Sequence, residues 1–259
     1  MILCDMDMVL ATSGGTDTAV GHPIYRTFKD PPSELDLIRK DEIPFYIVTA
    51  KVENEARTIL NAIGLEKYVT SVVGANSLVW PTLWRAIKNG RLPNSISKAF
   101  WRNVVQDTLA RDKTKCIVMI EDRPENLLDM FEMGCIDVGI LVPQIRLAGE
   151  FIVEWFDLGL ALGLARNLVL GIEDKSLLSR HDLVVHQWHK SGLEAVDPMS
   201  LFMRSKQFRY LVKLPTVSVN GLHDQGIMLQ SLETGCRLVA DRRNVVSLLR
   251  ACRRAYRRL

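Results

Sequence analysis

The chain holds 259 residues, 47% hydrophobic and 24% charged, a balance ordinary for a globular protein in water and a length that suits a core of about 150 residues plus an extension. No apolar run is long enough to span a bilayer, no signal peptide is expected, and the five scattered cysteines (Cys4, Cys116, Cys135, Cys236, Cys252) fit neither a disulfide framework nor a zinc site. A cytoplasmic location with reduced thiols is expected. The net charge of +3 is uneven: residues 241–259 carry seven arginines and one aspartate, leaving the preceding residues at −3, so the basicity belongs to the tail.

The first stretch, residues 1–10, is an apolar run that ends on two acids, Asp5 and Asp7. It reads as a buried strand delivering its carboxyl end to a site, with both acids on one face if the strand is regular. Two carboxylates held so close need a cation, a hydrogen bond or a shared proton. A glycine-containing polar stretch follows at 11–18 and reads as a loop beside the acids. Residues 31–40 place prolines before a serine and acids before bases, the order of a helix start and stop. Residues 43–49 form a second apolar run, ending in Thr49. The spacing of Val52, Ala56, Ile59, Leu60 and Ile63 predicts a helix closed by Gly64, and Tyr68 to Val73 a short strand.

Residues 75–97, with two tryptophans and two prolines, break the alternation and read as a small insertion. Lys98 opens a helix running to about Leu109. A fourth strand over 115–120 meets Glu121 and Asp122, a helix follows over 126–133, and a fifth strand over 136–142. Strands alternating with helices at this spacing predict an α/β fold: a doubly wound, Rossmann-like sheet with parallel central strands. Its ligand site lies at the carboxyl ends of the strands, where Asp5, Thr49 and Asp122 fall.

Residues 2–9 (Ile-Leu-Cys-Asp-Met-Asp-Met-Val), 46–49 (Tyr-Ile-Val-Thr), Lys98, and 118–126 (Val-Met-Ile-Glu-Asp-Arg-Pro-Glu-Asn) follow one another in the order and approximate spacing of four motifs. In this the chain resembles the haloacid dehalogenase-like hydrolase superfamily over roughly residues 1–145. The resemblance implies a phosphatase-type phosphoric monoester hydrolase. Asp5 would be the nucleophile that becomes an aspartyl phosphate, and Asp7 the general acid and then base. Mg²⁺ would be held by the side chains of Asp5 and Asp122 and the backbone carbonyl of Asp7. Thr49 and Lys98 would bind the phosphate, Lys98 being preferred to Lys88 because it opens an apolar-periodic helix. Asn126 would orient the metal's surroundings and Glu121 would add charge beside them, or stand as a solvated acid. Met8 occupies a place where the family usually has glycine. The presence of Asp7 favours phosphoryl chemistry over dehalogenation.

The slots where the family inserts cap domains hold about residues 11–30 and 75–97, so minimal caps are expected, with residues 146–259 as a C-terminal extension. That extension is expected to be mainly helical: 147–170 spaces Leu147, Phe151, Trp155, Leu158, Leu162, Ala165 and Val169 as a helix does. His181, His186 and His189 lack the companions of a known metal spacing and read as structural or surface residues. Residues 204–213 interleave bases with aromatics, as a hairpin strand or a nucleic-acid surface would. The last helix carries an apolar stripe from Val245 to Leu259, with Arg250, Arg253, Arg254, Arg257 and Arg258 on its other sides, suited to solvent or to a phosphate-bearing polyanion. A nucleotide or a polynucleotide end is therefore a candidate substrate. The competing class is a non-catalytic protein of the same fold that binds nucleic acid or another polyanion through this tail; a phosphomutase is a third. No membrane partner is expected.

Overall fold

The three residues of β1 (Ile2–Cys4) are fully buried, as a continuous apolar run requires when both faces of a strand are covered. The computed structural model describes residues 1–10, 32–74, 116–143, 146–148, 151–179, 182–202 and 208–218. Leu3 stands opposite Tyr46 of β2 (Phe45–Val48) on one side and Met119 of β4 (Val118–Glu121) on the other, both pairings parallel. Outside them β3 (Ser71–Val73) pairs with β2, and β5 (Val138–Leu141) with β4, again in parallel. Connections of this length return on the same side only through a crossover, which makes the sheet parallel.

The sheet continues past β5. Strand β10 (Arg209–Lys213) lies parallel to β5, and β8 (Val184–His189) and β9 (Gly192–Val196) add an antiparallel hairpin outside it. The full order is β3-β2-β1-β4-β5-β10-β8-β9. A second sheet of three antiparallel strands joins β6 (Arg146–Ala148), β7 (Phe151–Trp155) and β11 (Val217–Ser218) in the order β11-β7-β6.

Alternation along the strands divides the interior into two apolar clusters. Ile2, Cys4, Phe45, Ile47, Val118 and Ile120 pack with α1 (Ser33–Lys40), α2 (Glu53–Ala62) and α4 (Leu158–Leu170). On the other face Leu3, Tyr46, Val48, Met119 and Leu211 pack with α3 (Pro124–Glu132). Helices on both faces of a largely parallel sheet are the doubly wound arrangement expected from the sequence. Each Leu, Ile or Phe so buried contributes about 1.5–3 kcal/mol.

The extension departs from its expected helicity. Residues 146–148 and 151–155 are strands, and the helix predicted over 147–170 begins at Leu158. Phe151, Ile152, Val153 and Trp155 are β-branched or aromatic and favour extended backbone, and a helix start appears only at Asp157, whose carboxylate accepts from the Leu160 amide at 3.0 Å. From there α4 is apolar almost all round and is buried accordingly. Val184–His189, Gly192–Val196 and Arg209–Lys213 also supply strands to the main sheet, the last of them within the stretch whose sequence allowed a hairpin strand. The insertions at 11–30 and 75–97, the helix opening at Lys98 and the basic tail lie outside the described residues. Among the described residues no helix is long and apolar enough to cross a membrane, and Cys4, Cys116 and Cys135 form no disulfide.

Candidate active site

Strand β1 ends sooner than the sequence suggests. After Cys4 the Asp5 amide still continues the ladder, donating to the Ile120 carbonyl at 2.9 Å. Then the chain turns: Leu10 donates to the Met6 carbonyl at 3.0 Å, and Met8 takes φ +63°, the left-handed conformation a glycine adopts freely. The turn separates the two acids that a regular strand would have set side by side.

Asp5 is 5% exposed, and its Oδ1 accepts from the Met6 amide at 2.8 Å. Glu121 closes β4 at 0% exposure and Asp122 follows it at 6%. One carboxylate oxygen from each of Asp5, Glu121 and Asp122 lies within 4.8 Å of the others. Glu121 is thus no solvated acid: it is buried in the cluster, with one oxygen accepting from the Arg123 amide at 3.3 Å. Three carboxylates converging in a buried site repel one another, and a cation among them removes that cost. Three hard oxygen donors suit a hard divalent ion.

Thr49 stands at the end of the neighbouring strand β2, fully buried. Its amide donates to the Val73 carbonyl at 3.0 Å and its hydroxyl accepts from the Lys51 amide at 3.2 Å. Asp7 lies outside the carboxylate cluster, half-buried, with Oδ1 3.3 Å from Lys51 Nζ; Lys51 also reaches Glu55 at 3.9 Å. Asn126 sits half-buried in the first turn of α3, whose Pro124 presets the helix start. Gly74, just past β3, lets the loop close in: a Cβ there would stand 2.6–2.8 Å from Glu53 Cγ, the Lys51 carbonyl oxygen and the Glu53 nitrogen.

The structure therefore gathers Asp5, Glu121 and Asp122, places Thr49 on the same edge of the sheet, and sets Asp7 apart beside Lys51. Lys98, its rival Lys88, and Arg250, Arg253, Arg254, Arg257 and Arg258 lie outside the described residues. Lys51 was not singled out by the sequence reading; a cation two residues past the strand-end hydroxyl was its signal. His186 and His189 belong to no metal-holding group among the described residues and point to opposite faces of β8.

No family model and no curated protein matches the chain. Part of it aligns with a haloacid dehalogenase-like family hydrolase from Streptococcus pneumoniae, 16% identical over 44% of this chain and 45% of that one, with a TM-score of 0.29. It also aligns with a HAD-superfamily hydrolase from Ehrlichia chaffeensis, 18% identical over 42% of this chain and 46% of that one, with a TM-score of 0.28. The chain thus spans less than half the length of either structure.

Proposed function

We propose that the chain is a Mg²⁺-dependent phosphohydrolase that cleaves a phosphomonoester through an aspartyl phosphate on Asp5. The observation that carries this reading is the buried convergence of Asp5, Glu121 and Asp122 at the carboxyl edge of a parallel sheet. The order of the four sequence motifs supports it.

In this reading Asp5 and Asp122, with the backbone carbonyl of Asp7, hold the ion, and Glu121 adds charge beside them. The ion supplies a positive charge that lets an anionic nucleophile approach an anionic phosphate. The Asp5 carboxylate attacks phosphorus, forming the acyl phosphate as the bond to the ester oxygen breaks. Asp7 gives its proton to that departing oxygen, then takes one from the water that attacks phosphorus and frees Asp5. The position of Asp7 suits proton transfer, because a carboxylate outside the cluster is not spent on holding the ion. Thr49 is on hand to donate its hydroxyl proton to a phosphate oxygen, as its own oxygen already accepts from the Lys51 amide.

The test is phosphate release from an aryl phosphate and from a panel of nucleotides, phosphorylated oligonucleotides and sugar phosphates, with and without Mg²⁺. Turnover that needs the metal and falls at least a thousandfold in Asp5→Asn is expected. A thermal melt gives an independent readout. Mg²⁺ at about a hundred times its dissociation constant should add about 2.7 kcal/mol of stability, an effect lost in Asp122→Asn. No release on any substrate would refute the hydrolase and leave the polyanion-binding reading of the tail.

A further inference from the structure

Strand β10 brings a cation to the edge of the sheet that carries the carboxylates. Glu121 is in register with Leu141 of β5, and Leu141 with Lys213 of β10. The three also share a face: Met119 and Leu211, two residues before Glu121 and Lys213, both enter the α3-side cluster, and Leu141 packs against it. Acid, aliphatic side chain and base therefore form one row across three adjacent strands. Asp5, at the end of β1, lies one strand beyond Glu121, so three strand spacings, about 14 Å of backbone, separate it from Lys213.

Lys213 is exposed, and among the described residues it has no salt-bridge partner. Next to it on the same face stands His186, directly opposite Leu211 on β8. The His186 Nδ1 is shut off from solvent and has no hydrogen-bond partner. The Lys213 ammonium offers an anion a charge and hydrogen-bond donors, whereas the His186 Nδ1, shut off from solvent, is out of an anion's reach. Between this place and the carboxylates lies Leu141, half-buried and apolar, which suits an uncharged spacer.

We propose that Lys213 forms a second anion subsite, and that the substrate is a phosphomonoester bearing another anionic group at a distance set by the three strand spacings, about 14 Å of backbone, between Asp5 and Lys213. This deepens the hydrolase reading and rests on it. The sheet acts as a ruler: the separation is set by hydrogen-bonded strands and not by a loop, so it selects on substrate length. A sugar bisphosphate, a nucleotide with a distal phosphate and a phosphorylated acid share this chemistry.

The probes are α,ω-alkane bisphosphonates of increasing linker length and alkyl monophosphonates of matching length. Their carbon–phosphorus bonds are not cleaved by a phosphoryl hydrolase. Binding to the full chain with Mg²⁺ present, measured by calorimetry, should peak at one linker length and there exceed the matching monophosphonate at least tenfold. Lys213→Met should erase the peak, and Lys213→Arg should keep it. A flat series, or a peak that survives Lys213→Met, overturns the subsite. Because the series needs no turnover, its failure is distinct from a failure to release phosphate from the aryl ester.

Discussion

Met8 offers a measurement of backbone strain beside the proposed nucleophile. At φ +63° its Cβ crowds the following carbonyl, which costs a residue with a side chain roughly 1–2 kcal/mol. Glycine escapes that cost but gains freedom in the unfolded chain worth about 0.4–1 kcal/mol. Met8→Ala and Met8→Gly discard the same atoms beyond Cβ, so the difference between them isolates the backbone. The glycine variant should be the more stable by roughly 0.5–1 kcal/mol, which reverses the usual ranking of alanine over glycine in helices and strands. With a urea slope of about 3 kcal/mol/M for a chain of this size, the midpoints should differ by roughly 0.2–0.3 M. Glu42, at φ +53° in the connection between α1 and β2, gives the same comparison away from the site. An alanine variant at position 8 as stable as the glycine one would refute the argument.

Two further perturbations follow from the packing. Gly74→Ala drives a Cβ into the backbone of Lys51 and Glu53, which should cost about 1–3 kcal/mol and speed amide exchange at Lys51; unchanged exchange would show that the loop absorbs the methyl group. Burial first, and the Lys213 ammonium second, hold the His186 imidazole below its ordinary 6.5. The native ring then stays neutral where the unfolded chain already binds a proton, so stability rises with pH in the window just below 6.5. His186→Gln should remove that slope. In Lys213→Met the His186 titration followed by NMR should move back up, and a midpoint that stays put would deny the two groups their proximity.

The sheet's central strands could be read from the sequence because their evidence is local. Continuous apolar runs ending in polar residues mark β1, β2, β4 and β5, and the acids at those ends, Asp5 and Asp122, fall together because parallel strands present their carboxyl ends to one edge. What was not legible depended on partners far away in the chain. The run from Arg209 to Lys213 carries nothing that names β5 as its neighbour. Leu147, Phe151 and Trp155 are spaced by four, which a helix permits, yet the residues between them favour a strand. The separation of Asp7 from Asp5 follows from β1 ending at Cys4 and the chain turning from Met6 onward, whereas alternation rules assume that the strand runs on through both acids.

The insertion of β10 between β5 and β8 also bears on how the chain reaches its native state. The outer edge of β5 stays unpaired until a strand about seventy residues downstream has been made, a delay of several seconds at synthesis rates of about 5–20 residues per second. During that time the β1, β2 and β4 ladder can form, carrying its carboxylates, while one flank of the sheet offers open hydrogen-bonding groups. A nascent chain stalled before Arg209 should thus be the species most prone to self-association, and release of the β10 segment the step that ends that exposure.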